Sequence, residues 1–544
     1  MKRRTTVTPT RSLSATTIST PPETIGAGNF LDHACATTDV RAPKIFLDKP
    51  LVVQGEQSLD ELSLLQIKVL SCRLAASLFD LGIRAKDPVA VYLDESAGYL
   101  LCYLALNHIG AIPAFLNSGL SGDIASAYIA RIGAVAVIAD AARIEILSHT
   151  EALPETVSLY DFGVIELADA SKSVAAYRHH DDDPVLLAHT SGTTGIPKAV
   201  QFNHQGFFHG VRRQFGKTMG GRVLCTLPLS HASCISVLMS ILLRGGQILL
   251  QSQRDPASLV AAIEKFKPEM FAAFPKVFVD LCRLDLDAYD LSSVSWWLST
   301  GDANHESHIR KLVRQGSRSV EGIRRKGSLF IDNFGASEFG YAIFRNVHSL
   351  DTDNYGRCIG LPFDWIDVAI LDTQGTLVKP GQVGLLGVRS PSVTAGYWND
   401  SVTTQRTRLA GYWLTGDLAY RADDGQYFHV DRISDRIDLS ADTLFSCALE
   451  ERIMRHVPEV FECTVVEVSG SEGKALTLLV ELQPREEDTV GELAPRINKL
   501  MESWGHPVFT SILKQSAHEH VGLTGKKLKR KLRSESSTTP IGSR

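Results

Sequence analysis

The sequence predicts an α/β protein with a large N-terminal domain of layered α/β sheets, a β-rich subdomain and a small α+β domain at the C-terminus. The chain has 544 residues, which is too many for a single ordinary hydrophobic core and indicates more than one domain. Hydrophobic residues make up 44% and charged residues 22%, which is the balance of a soluble globular protein. Between residues 57 and 340 apolar β-like runs alternate with helical patterns, whereas later segments are short strands separated by turns.

The first large region shows the repeating order strand, helix, strand. The run Pro184-Val-Leu-Leu-Ala-His189 is apolar and leads into a loop of glycine and threonine. Asp255-Pro256 supplies an N-cap and a first-turn proline for a helix over 257–266, and Gly245-Gly246 ends a helix that begins near Ala232. The other predicted strands cover 223–229, 247–251, 270–274, 294–298 and 328–331. This order is typical of a layered fold with largely parallel strands.

After about residue 360 the pattern changes to short strands with turn residues, as in Leu371-Asp-Thr-Gln-Gly375. A second change near Asp431 begins the small α+β domain. Its predicted helices cover 448–455 and 491–503, and its predicted strands cover 463–468 and 476–482. The predicted organisation is a disordered tail over 1–24, an N-terminal domain over 25–430, a C-terminal domain over 431–533 and a second tail over 534–544.

Charge and cysteine content exclude several classes of protein. The chain has 56 Lys and Arg against 61 Asp and Glu, a net charge of -5, which argues against nucleic acid as a partner. Its nine cysteines include no CxxC pair, so we expect a reducing compartment, no disulfides and no zinc knuckle. Polar residues interrupt the most lipid-like stretch, 100–120, and we therefore predict no transmembrane segment.

The first 24 residues are rich in Ser and Thr and carry Lys2, Arg3, Arg4 and Arg11 before the first acid, Glu23. Organelle transit peptides and disordered tails share this composition. No arginine-studded apolar helical face is evident, which favours a plain tail and a cytoplasmic protein over import into an organelle.

The sharpest motif is Thr190-Ser-Gly-Thr-Thr-Gly-Ile-Pro-Lys198, directly after the apolar run 185–188. Its glycines let the backbone approach a polyphosphate, its hydroxyls donate to phosphate oxygens, and Lys198 adds a point charge. It differs from the Walker form, in which Lys and then Ser or Thr directly follow the second Gly. The predicted phosphate-binding residues are Thr190, Ser191, Gly192, Thr193, Thr194, Gly195 and Lys198.

In this loop the sequence resembles the adenylate-forming superfamily of acyl-CoA ligases, peptide-synthetase adenylation domains and luciferases. Four later segments match the superfamily's motifs in the same order along almost the whole chain. They are Asp332-Asn-Phe-Gly-Ala-Ser-Glu338, Tyr412-Trp-Leu-Thr-Gly-Asp-Leu418, Asp431-Arg-Ile-Ser-Asp435 and Thr524-Gly-Lys526. The resemblance implies an ATP-dependent enzyme that converts a carboxylic acid into an acyl-adenylate and releases pyrophosphate.

The resemblance assigns nucleotide-binding residues whose chemistry suits the task. Phe334 offers a flat face to adenine, and the Asp332 carboxylate can accept a hydrogen bond from its exocyclic amine. Asp417 can accept from both ribose hydroxyls, and Glu338 is a hard-oxygen ligand for Mg²⁺. The remaining residues of the predicted nucleotide site are Asn333, Ser337 and Arg432.

Lys526 is the predicted catalytic lysine, because it matches the superfamily's terminal Gly-Lys. Attack of a carboxylate oxygen on the α-phosphorus spreads charge over the nonbridging oxygens, and a lysine that bridges both reactants stabilises that transition state. The surrounding run 526–533 is strongly basic, so a solvated helix face, a contact with anionic lipid and a localisation signal are alternatives.

His231 matches a histidine near the carboxylate site of acyl- and aryl-activating members, although a lone histidine after a strand is otherwise structural. Amino-acid-activating members carry an aspartate hereabouts, and its absence from 230–233 disfavours an α-amino acid substrate. Gly335 stands where strict acetate activators have a pocket-closing Trp, and Asn333 replaces a common glycine and shortens or polarises the pocket. The predicted pocket residues are His231, Gly301, Asn333 and Gly335.

Other residues carry weaker signals. Trp296 and Trp297 point to opposite faces of a strand, so at most one of them lines the pocket. The clusters 179–183 and 518–520 contain metal-ligand types but lack i, i+4 histidines and cysteines, and the first is predicted to be a solvated linker.

Two residues after the hinge depart from the superfamily's pattern. Asp438 lies near the usual lysine, and Ala441 lies near the glycine that admits the thiol of coenzyme A or of a carrier protein. A methyl group and an extra carboxylate obstruct and repel a phosphorylated thiol. The hinge Asp435 and the nucleotide-facing Arg432 are retained, so the first half-reaction is better supported than the second.

The sequence therefore predicts a ligase whose small, mobile C-terminal domain rotates about Asp435, with ATP and Mg²⁺ as cofactors. The predicted catalytic residues are Lys526, Glu338 and His231. Coenzyme A is the predicted acceptor. One alternative is transfer to a carrier-protein thiol, an amine or another nitrogen nucleophile, and a second is a nucleotide-binding regulatory protein without turnover.

Overall fold

The computed structural model describes residues 20–150, 152–190, 195–216, 220–439, 443–470, 473–483, 490–515 and 529. The predicted alternation of strands and helices is present in them. The α-helices of the described residues are α1 (Phe30–Thr37), α2 (Leu64–Asp80), α3 (Gly98–His108), α4 (Gly122–Ile132), α5 (Ala141–Ser148), α6 (His204–Gln214), α7 (Ala232–Leu242), α8 (Pro256–Phe266), α9 (Pro275–Leu281), α10 (Glu306–Val313), α11 (Ser401–Arg406), α12 (Ser446–His456) and α13 (Val490–Ser503). Short 3₁₀ turns lie at Leu286–Ala288 and Ser337–Phe339.

Up to β12 most strands are separated by helices. After β12 the strands follow one another with few helices between them. The strands of the described residues are β1 (Pro43–Leu51), β2 (Leu59–Ser63), β3 (Pro88–Tyr92), β4 (Ile112–Phe115), β5 (Ala136–Ala139), β6 (Ser158–Asp161), β7 (Pro184–His189), β8 (Ala199–Asn203), β9 (Arg222–Cys225), β10 (Gln247–Leu250), β11 (Met270–Ala273), β12 (Trp296–Thr300), β13 (Ser317–Val320), β14 (Ile323–Lys326), β15 (Leu329–Phe334), β16 (Phe344–His348), β17 (Cys358–Pro362), β18 (Asp367–Leu371), β19 (Gly384–Arg389), β20 (Arg408–Leu409), β21 (Tyr412–Arg421), β22 (Tyr427–Arg432), β23 (Arg436–Asp438), β24 (Thr443–Phe445), β25 (Val460–Gly470), β26 (Gly473–Leu482) and β27 (Ser511–Lys514).

The first sheet has its strands in the order β6-β5-β3-β4-β7-β8. All neighbouring pairs are parallel except β7 with β8. Every residue of β4 and β5 is buried, which is the pattern of a parallel sheet covered on both faces. β7 lies inside this sheet and carries the predicted phosphate loop at its carboxyl end.

The second sheet joins the predicted parallel region to the predicted β-rich subdomain. Its strands run in the order β18-β19-β21-β22-β17-β16-β15-β12-β11-β9-β10-β1-β2, with β20 on β21. The strands from β1 to β15 in this order are parallel neighbours, and antiparallel pairing begins where β15 meets β16. β15 extends to Phe334, beyond the predicted end at 331, so Asp332, Asn333 and Phe334 lie at its carboxyl end.

Buried side chains fill the space between the sheets and their helices. The ring of Trp297 is fully buried against Phe271 and Phe278, and its Nε1 donates to Ser328 Oγ at 2.7 Å. Trp297 is therefore a core residue. Neither it nor Trp296 is among the described residues that line the cavity of the site below.

Local signals in the sequence match the structure closely. Asp255 caps α8, because its side chain accepts from the Ser258 backbone N–H at 2.9 Å. β9 ends at Cys225 rather than at 229, since Pro228 lacks the N–H that a sheet ladder needs. All nine cysteines are free thiols, as expected.

Part of the predicted N-terminal tail packs against α6. Arg212 donates to the carbonyl oxygens of Pro21 and Pro22 at 2.6 and 2.9 Å, and Gln205 Nε2 donates to the carbonyl oxygen of Glu23 at 2.7 Å. Side chains of α6 thereby hydrogen-bond these three carbonyl groups. Residues 1–19 lie outside the described residues.

The C-terminal residues form a separate sheet, β25-β26-β27, with α12 and α13 packed on it around their own hydrophobic core. This lobe contacts the N-terminal region through α12. Glu451 accepts from His305 Nδ1 at 2.6 Å and from the Glu306 backbone N–H at 3.1 Å. An ion pair of 2.8 Å between Arg283 and Glu481 adds a second contact.

Candidate active site

A cavity of about 630 Å³ opens at the carboxyl ends of strands from both large sheets. Thr190 follows β7, His231 comes after β9, Thr300 ends β12 and Gly335 follows β15. Open α/β sheets bind ligands at this edge, where the loops leave the strands. The predicted site residues in the cavity lining are Thr190, Lys198, His231, Gly301, Asn333, Gly335, Ser337, Glu338 and Arg432. The predicted residues that are described but lie outside this lining are Gly195, Asp332, Phe334 and Asp417.

Lys198, Tyr397 and Glu338 form one hydrogen-bonded chain along the cavity wall. Lys198 Nζ donates to Tyr397 Oη at 3.0 Å, and that hydroxyl donates to Glu338 Oε1 at 2.8 Å. Burial and the Glu338 charge raise the pKa of the Tyr397 hydroxyl well above its ordinary value, so the hydroxyl keeps its proton. These hydrogen bonds place the Lys198 ammonium group and the Glu338 carboxylate on opposite sides of the Tyr397 hydroxyl group. This arrangement suits a triphosphate that binds together with a divalent cation.

The phosphate loop is described only at its two ends. Its predicted ligands outside the described residues are Ser191, Gly192, Thr193 and Thr194. Thr190 Oγ1 is buried at the cavity and has no hydrogen-bond partner within the described residues. Buried hydroxyls are normally satisfied, so this group fits a bound phosphate oxygen. Arg131 donates to the carbonyl oxygens of Ile196 and Pro197 at 3.1 Å each, which fixes the chain just before Lys198.

Asp417 on β21, the predicted ribose ligand, is 3% exposed. Its Oδ1 lies 3.3 Å from His429 Nε2 and 3.4 Å from Arg432 Nε. Burial alone raises the pKa of this carboxyl, but the Arg432 guanidinium and the His429 ring outweigh burial and lower the pKa to about 2. Asp417 is therefore ionised at neutral pH and can accept hydrogen bonds from two hydroxyl groups.

The predicted adenine-binding residues lie at the end of β15. The ring of Phe334 is 5.3 Å from the ring of His429, which also contacts Asp417. Asp332 Oδ1 accepts from Asn304 Nδ2 at 2.8 Å. Burial raises the pKa of Asp332 to about 6, although Arg357 and Asn304 act to lower it. At neutral pH this carboxyl is ionised and can accept from an exocyclic amine.

These residues together fit ATP with Mg²⁺. They combine a lysine, an unsatisfied hydroxyl and two carboxylates, the groups that bind phosphate, ribose and a hard cation. Among the described residues, no group of three or more His, Cys, Asp or Glu could hold a metal ion unaided. Glu338 is the residue that would hold a Mg²⁺ ion, and phosphate oxygens and water would supply the other ligands, as they commonly do for this ion.

His231 is the N-cap of α7. Its Nδ1 accepts from the Ser233 backbone N–H at 3.1 Å. A ring nitrogen that accepts from a backbone N–H carries no proton, so the neutral ring has its proton on Nε2. The ring stands edge-to-face with Phe274 at 5.1 Å, which fixes its orientation. In its neutral form His231 therefore offers a hydrogen-bond donor rather than a base.

The predicted pocket residues border an aromatic and partly polar wall. Asn333 is 7% exposed, and its Oδ1 accepts from Arg345 Nε at 3.1 Å. Gly301 has a φ of +97°, and a Cβ at this position would lie 2.9 Å from the Phe274 ring. The backbone therefore passes close to this ring only because residue 301 is glycine.

The chain passes from β22 to the small lobe through a turn at Asp435, whose backbone N–H donates to the Arg432 carbonyl at 3.0 Å. Beyond it, Asp438 ends β23 and pairs with Arg436 at 2.8 Å on the surface. Ala441 lies outside the described residues. The turn at Asp435 thus connects the side of the site that holds Asp417 and Arg432 to the small lobe, where the sequence predicts a hinge.

The predicted catalytic residue Lys526 also lies outside the described residues, but Lys529 is described. Lys529 is 7% exposed, pairs with Glu450 Oε1 at 2.7 Å and donates to Ser446 Oγ at 2.8 Å. Ser446 Oγ in turn donates to Asp431 Oδ2 at 2.8 Å. Asp431 is thereby part of a buried network that ties Lys529 to α12.

Two residues of the site escaped prediction from the sequence. Tyr397 lies in Thr394-Ala-Gly-Tyr-Trp398, where a glycine beside two aromatic residues was an available signal. His429 lies two residues before Asp431 on β22, so both side chains point to the same face of the strand that carries Arg432. The bonds of Tyr397 to Lys198 and Glu338, and the contact of His429 with Phe334, join segments that are distant in the chain.

The weaker metal-ligand cluster at 179–183 is a packing feature. His179 is partly buried rather than solvated, because its ring stacks on His204 at 4.8 Å and its Nε2 bonds to the Asn107 carbonyl at 3.1 Å. Asp183 forms an ion pair with Lys86. The cluster at 518–520 lies outside the described residues. No helix of the described chain is long and apolar enough to cross a membrane.

Comparison with known proteins identifies the family of this chain. The family model for AMP-binding enzymes matches residues 41–398. The chain is 38% identical, over 83% of its length and 85% of the relative's, to a 3-aminoavenalumate diazotase of Streptomyces sp. It is 26% identical, over 77% of its length and 79% of the relative's, to a 4-coumarate–CoA ligase of Humulus lupulus. A crystal structure of an anthranilate CoA ligase with anthranoyl-AMP superposes with a TM-score of 0.82 at 20% identity, covering 95% of this chain and 98% of the other. The chain therefore belongs to the AMP-binding enzyme family of ATP-dependent, adenylate-forming ligases.

Proposed function

We propose that this chain uses ATP to drive the diazotisation of an aromatic amine. The observation that carries the proposal is its 38% identity to the 3-aminoavenalumate diazotase. A diazotase joins a second nitrogen atom to a primary amine, and an amine is one of the alternative acceptors that the sequence predicts. The amine in question is aromatic, because aliphatic diazonium ions rapidly lose dinitrogen.

Nitrite supplies the second nitrogen in the oxidation state that a diazonium ion requires, and it resembles a carboxylate in shape and charge. A nitrite oxygen attacks the α-phosphorus of ATP, the bond to pyrophosphate breaks, and a nitrosyl-adenylate forms. The amine nitrogen then attacks the nitrosyl nitrogen, AMP leaves, and one amine proton is released. The remaining N–H proton moves to the nitroso oxygen, and a proton from solvent lets that oxygen leave as water.

The cavity suits this pair of substrates. Lys198 and Arg432 supply positive charge for the triphosphate and the small anion. Aromatic amines are uncharged at neutral pH and need no carboxylate partner, and within the described lining the one acid, Glu338, is bonded to Tyr397. Apolar residues that suit an aromatic ring line the rest of the wall, among them Val237, Ile241, Met270, Phe274 and Leu298.

The proposed roles follow from the chemistry of each side chain. Lys198 and Thr190 bind the triphosphate, Asp417 binds the ribose, and Glu338 holds Mg²⁺, which neutralises charge on the phosphates when bound. His231 donates its Nε2 proton as a hydrogen bond to an oxygen of the activated group. It does not need to deprotonate the amine, since an uncharged aromatic amine has a free electron pair.

Thioester formation with coenzyme A is the second candidate, and the 26% identity to the 4-coumarate–CoA ligase supports it. In that reaction the carboxylate of the substrate, not nitrite, attacks ATP. Asp438 argues against it, because a carboxylate near the predicted thiol route repels the phosphates of coenzyme A.

Pyrophosphate release from ATP and Mg²⁺ separates the two candidates. The reaction is run with nitrite alone, with nitrite and 3-aminocinnamate, with 3-aminocinnamate alone, and with that acid and coenzyme A. We expect release that requires nitrite, together with a diazonium product that couples to naphthol to give an azo dye. Lys198→Gln should abolish it, whereas Lys172→Gln, which breaks an exposed ion pair with Asp80, should not. Pyrophosphate release that requires coenzyme A and does not depend on nitrite would overturn the proposal.

A further inference from the structure

Arg357 has a backbone conformation that is unfavourable for a residue with a side chain. Its φ is +71°, in the left-handed region where the Cβ of an L-residue crowds the following carbonyl oxygen. Its Nε is buried and has no hydrogen-bond partner among the described residues. Strained backbones persist only where the surrounding structure imposes them, and they are concentrated at functional sites. Arg357 is therefore a candidate for a functional role.

Two hydrogen bonds join Arg357 to His429. Arg357 directly precedes β17, and its carbonyl oxygen accepts from the His429 backbone N–H on β22 at 3.0 Å. Its Nη2 lies 2.5 Å from His429 Nδ1. A guanidinium group has donors only, so Nδ1 is the acceptor and carries no proton. Burial, assisted by the Arg357 charge, lowers the pKa of His429, so the ring is neutral at neutral pH and has its proton on Nε2.

The Nε2 proton of His429 points to Asp417, and both side chains are buried. Nε2 lies 3.3 Å from Asp417 Oδ1, and the same oxygen lies 3.4 Å from Arg432 Nε. Two donors on one oxygen restrict rotation of the carboxylate group. The His429 ring also packs on Phe334 at 5.3 Å, which limits its own rotation. Arg357, His429 and Asp417 thus form a relay of hydrogen bonds that ends at the predicted ribose ligand.

We propose that Arg357 and His429 are positioning residues that hold the Asp417 carboxylate in the orientation that binds both ribose hydroxyls of ATP. Arg357 selects the tautomer of His429, and that tautomer donates to Asp417. With the proton on Nδ1 instead, Nε2 would present a lone pair to the carboxylate and repel it. The inference rests on the ribose-binding role of Asp417 and goes beyond the proposed diazotisation, since every adenylating reaction requires bound ATP.

The test compares ATP with 2′,3′-dideoxy-ATP, which lacks both ribose hydroxyls. Calorimetric binding to the full chain, with Mg²⁺ and no second substrate, should favour ATP at least about tenfold, because hydrogen bonds to a charged acceptor are stronger than neutral ones. His429→Leu and Arg357→Gly should each lower this ratio at least about threefold by weakening ATP alone. Glycine tolerates a φ of +71°, so Arg357→Gly removes the guanidinium group without adding backbone strain.

His429→Gln separates the hydrogen bonds from packing. The glutamine amide can accept from Arg357 through Oε1 and donate to Asp417 through Nε2, so this variant should retain most of the ratio. In Asp417→Asn the ratio should be small, and adding His429→Leu should not lower it further, because His429 acts through Asp417. Arg213→Gln, which breaks an exposed ion pair with Asp364, is the matched control.

Equal binding of ATP and dideoxy-ATP by the wild type would overturn the assignment, because Asp417 would then not bind the ribose. An unchanged ratio in His429→Leu or Arg357→Gly, including equal weakening of both nucleotides, would overturn it as well. A loss in His429→Gln as large as that in His429→Leu would exclude the relay of hydrogen bonds. None of these measurements contains nitrite, so the diazotase proposal stands or fails separately.

Discussion

Tyr397→Phe removes the oxygen atom that joins Lys198 to Glu338 and leaves the ring in place. The hydroxyl accepts from Lys198 at 3.0 Å and donates to Glu338 at 2.8 Å. The ring centre is 5.5 Å from that of Trp413, a contact that phenylalanine preserves. The substitution therefore tests the two hydrogen bonds without opening a cavity in the core.

Both lost bonds have an ionised partner, and such bonds contribute about 1.5–3 kcal/mol each. Part of this energy returns when water or the opposite charge replaces the hydroxyl. The net loss should be about 2 kcal/mol, which lowers the rate of adenylate formation about 30-fold.

Exchange of labelled pyrophosphate into ATP measures this step directly. Tyr397→Phe should lower kcat/KM for ATP about 30-fold, while denaturant unfolding should show a change of less than about 1 kcal/mol. The control is Tyr412→Phe, whose hydroxyl is 3.4 Å from Asp367 on the surface and should be dispensable. Exchange within about threefold of the wild type in Tyr397→Phe would refute the role of the hydrogen-bonded chain.

Three further predictions concern buried charges. The pKa of Asp417 near 2 lies below the usual value of about 4, so its ionised form stabilises the fold above about pH 4 and this contribution is lost as the pH falls toward 2. Asp417→Asn should therefore lower the unfolding free energy at pH 7 by about 2–3 kcal/mol. It should also remove the further fall in stability between about pH 4 and about pH 2, which urea titrations at several pH values would show. The pKa of Asp332 near 6 means that its carboxyl is protonated below that pH, so ATP affinity measured by calorimetry should fall as the pH drops from 7 to 5, and should fall less in Asp332→Asn. Lys529→Met leaves Glu450 buried without its cation and should cost about 3–5 kcal/mol in urea unfolding; a double variant that adds Glu450→Gln should recover part of it, and no recovery would contradict the pairing.

Much of the fold is predictable because apolar runs and turn residues act locally. β7 has the predicted bounds, and α8 begins at the predicted cap. What the sequence does not show is the single sheet that joins the parallel and antiparallel regions. That sheet depends on the pairing of β17 with β22, which brings Cys358 opposite Phe428, a residue far along the chain.

The residues of the site likewise separate into those that local sequence predicts and those that depend on long-range contacts. Motif residues at strand ends were predictable, since each motif is contiguous and the strand before it is apolar. Tyr397 was not, because it bonds to residues 199 and 59 positions away. The cavity-lining serines of α7 were hidden for a different reason: three serines in the apolar run 232–242 are compatible with an ordinary core helix, and only the cavity shows that they face a site.

In the proposed reaction a nitrogen atom, not a thiol, receives the activated group. The most direct test incubates the enzyme with ATP, Mg²⁺, 3-aminocinnamate, coenzyme A and ¹⁵N-labelled nitrite, and analyses the products by mass spectrometry after trapping with naphthol. We expect an azo adduct that carries one ¹⁵N atom, formed in equal amount to AMP. AMP formation that matches a coenzyme A thioester, with no ¹⁵N in any product, would contradict it.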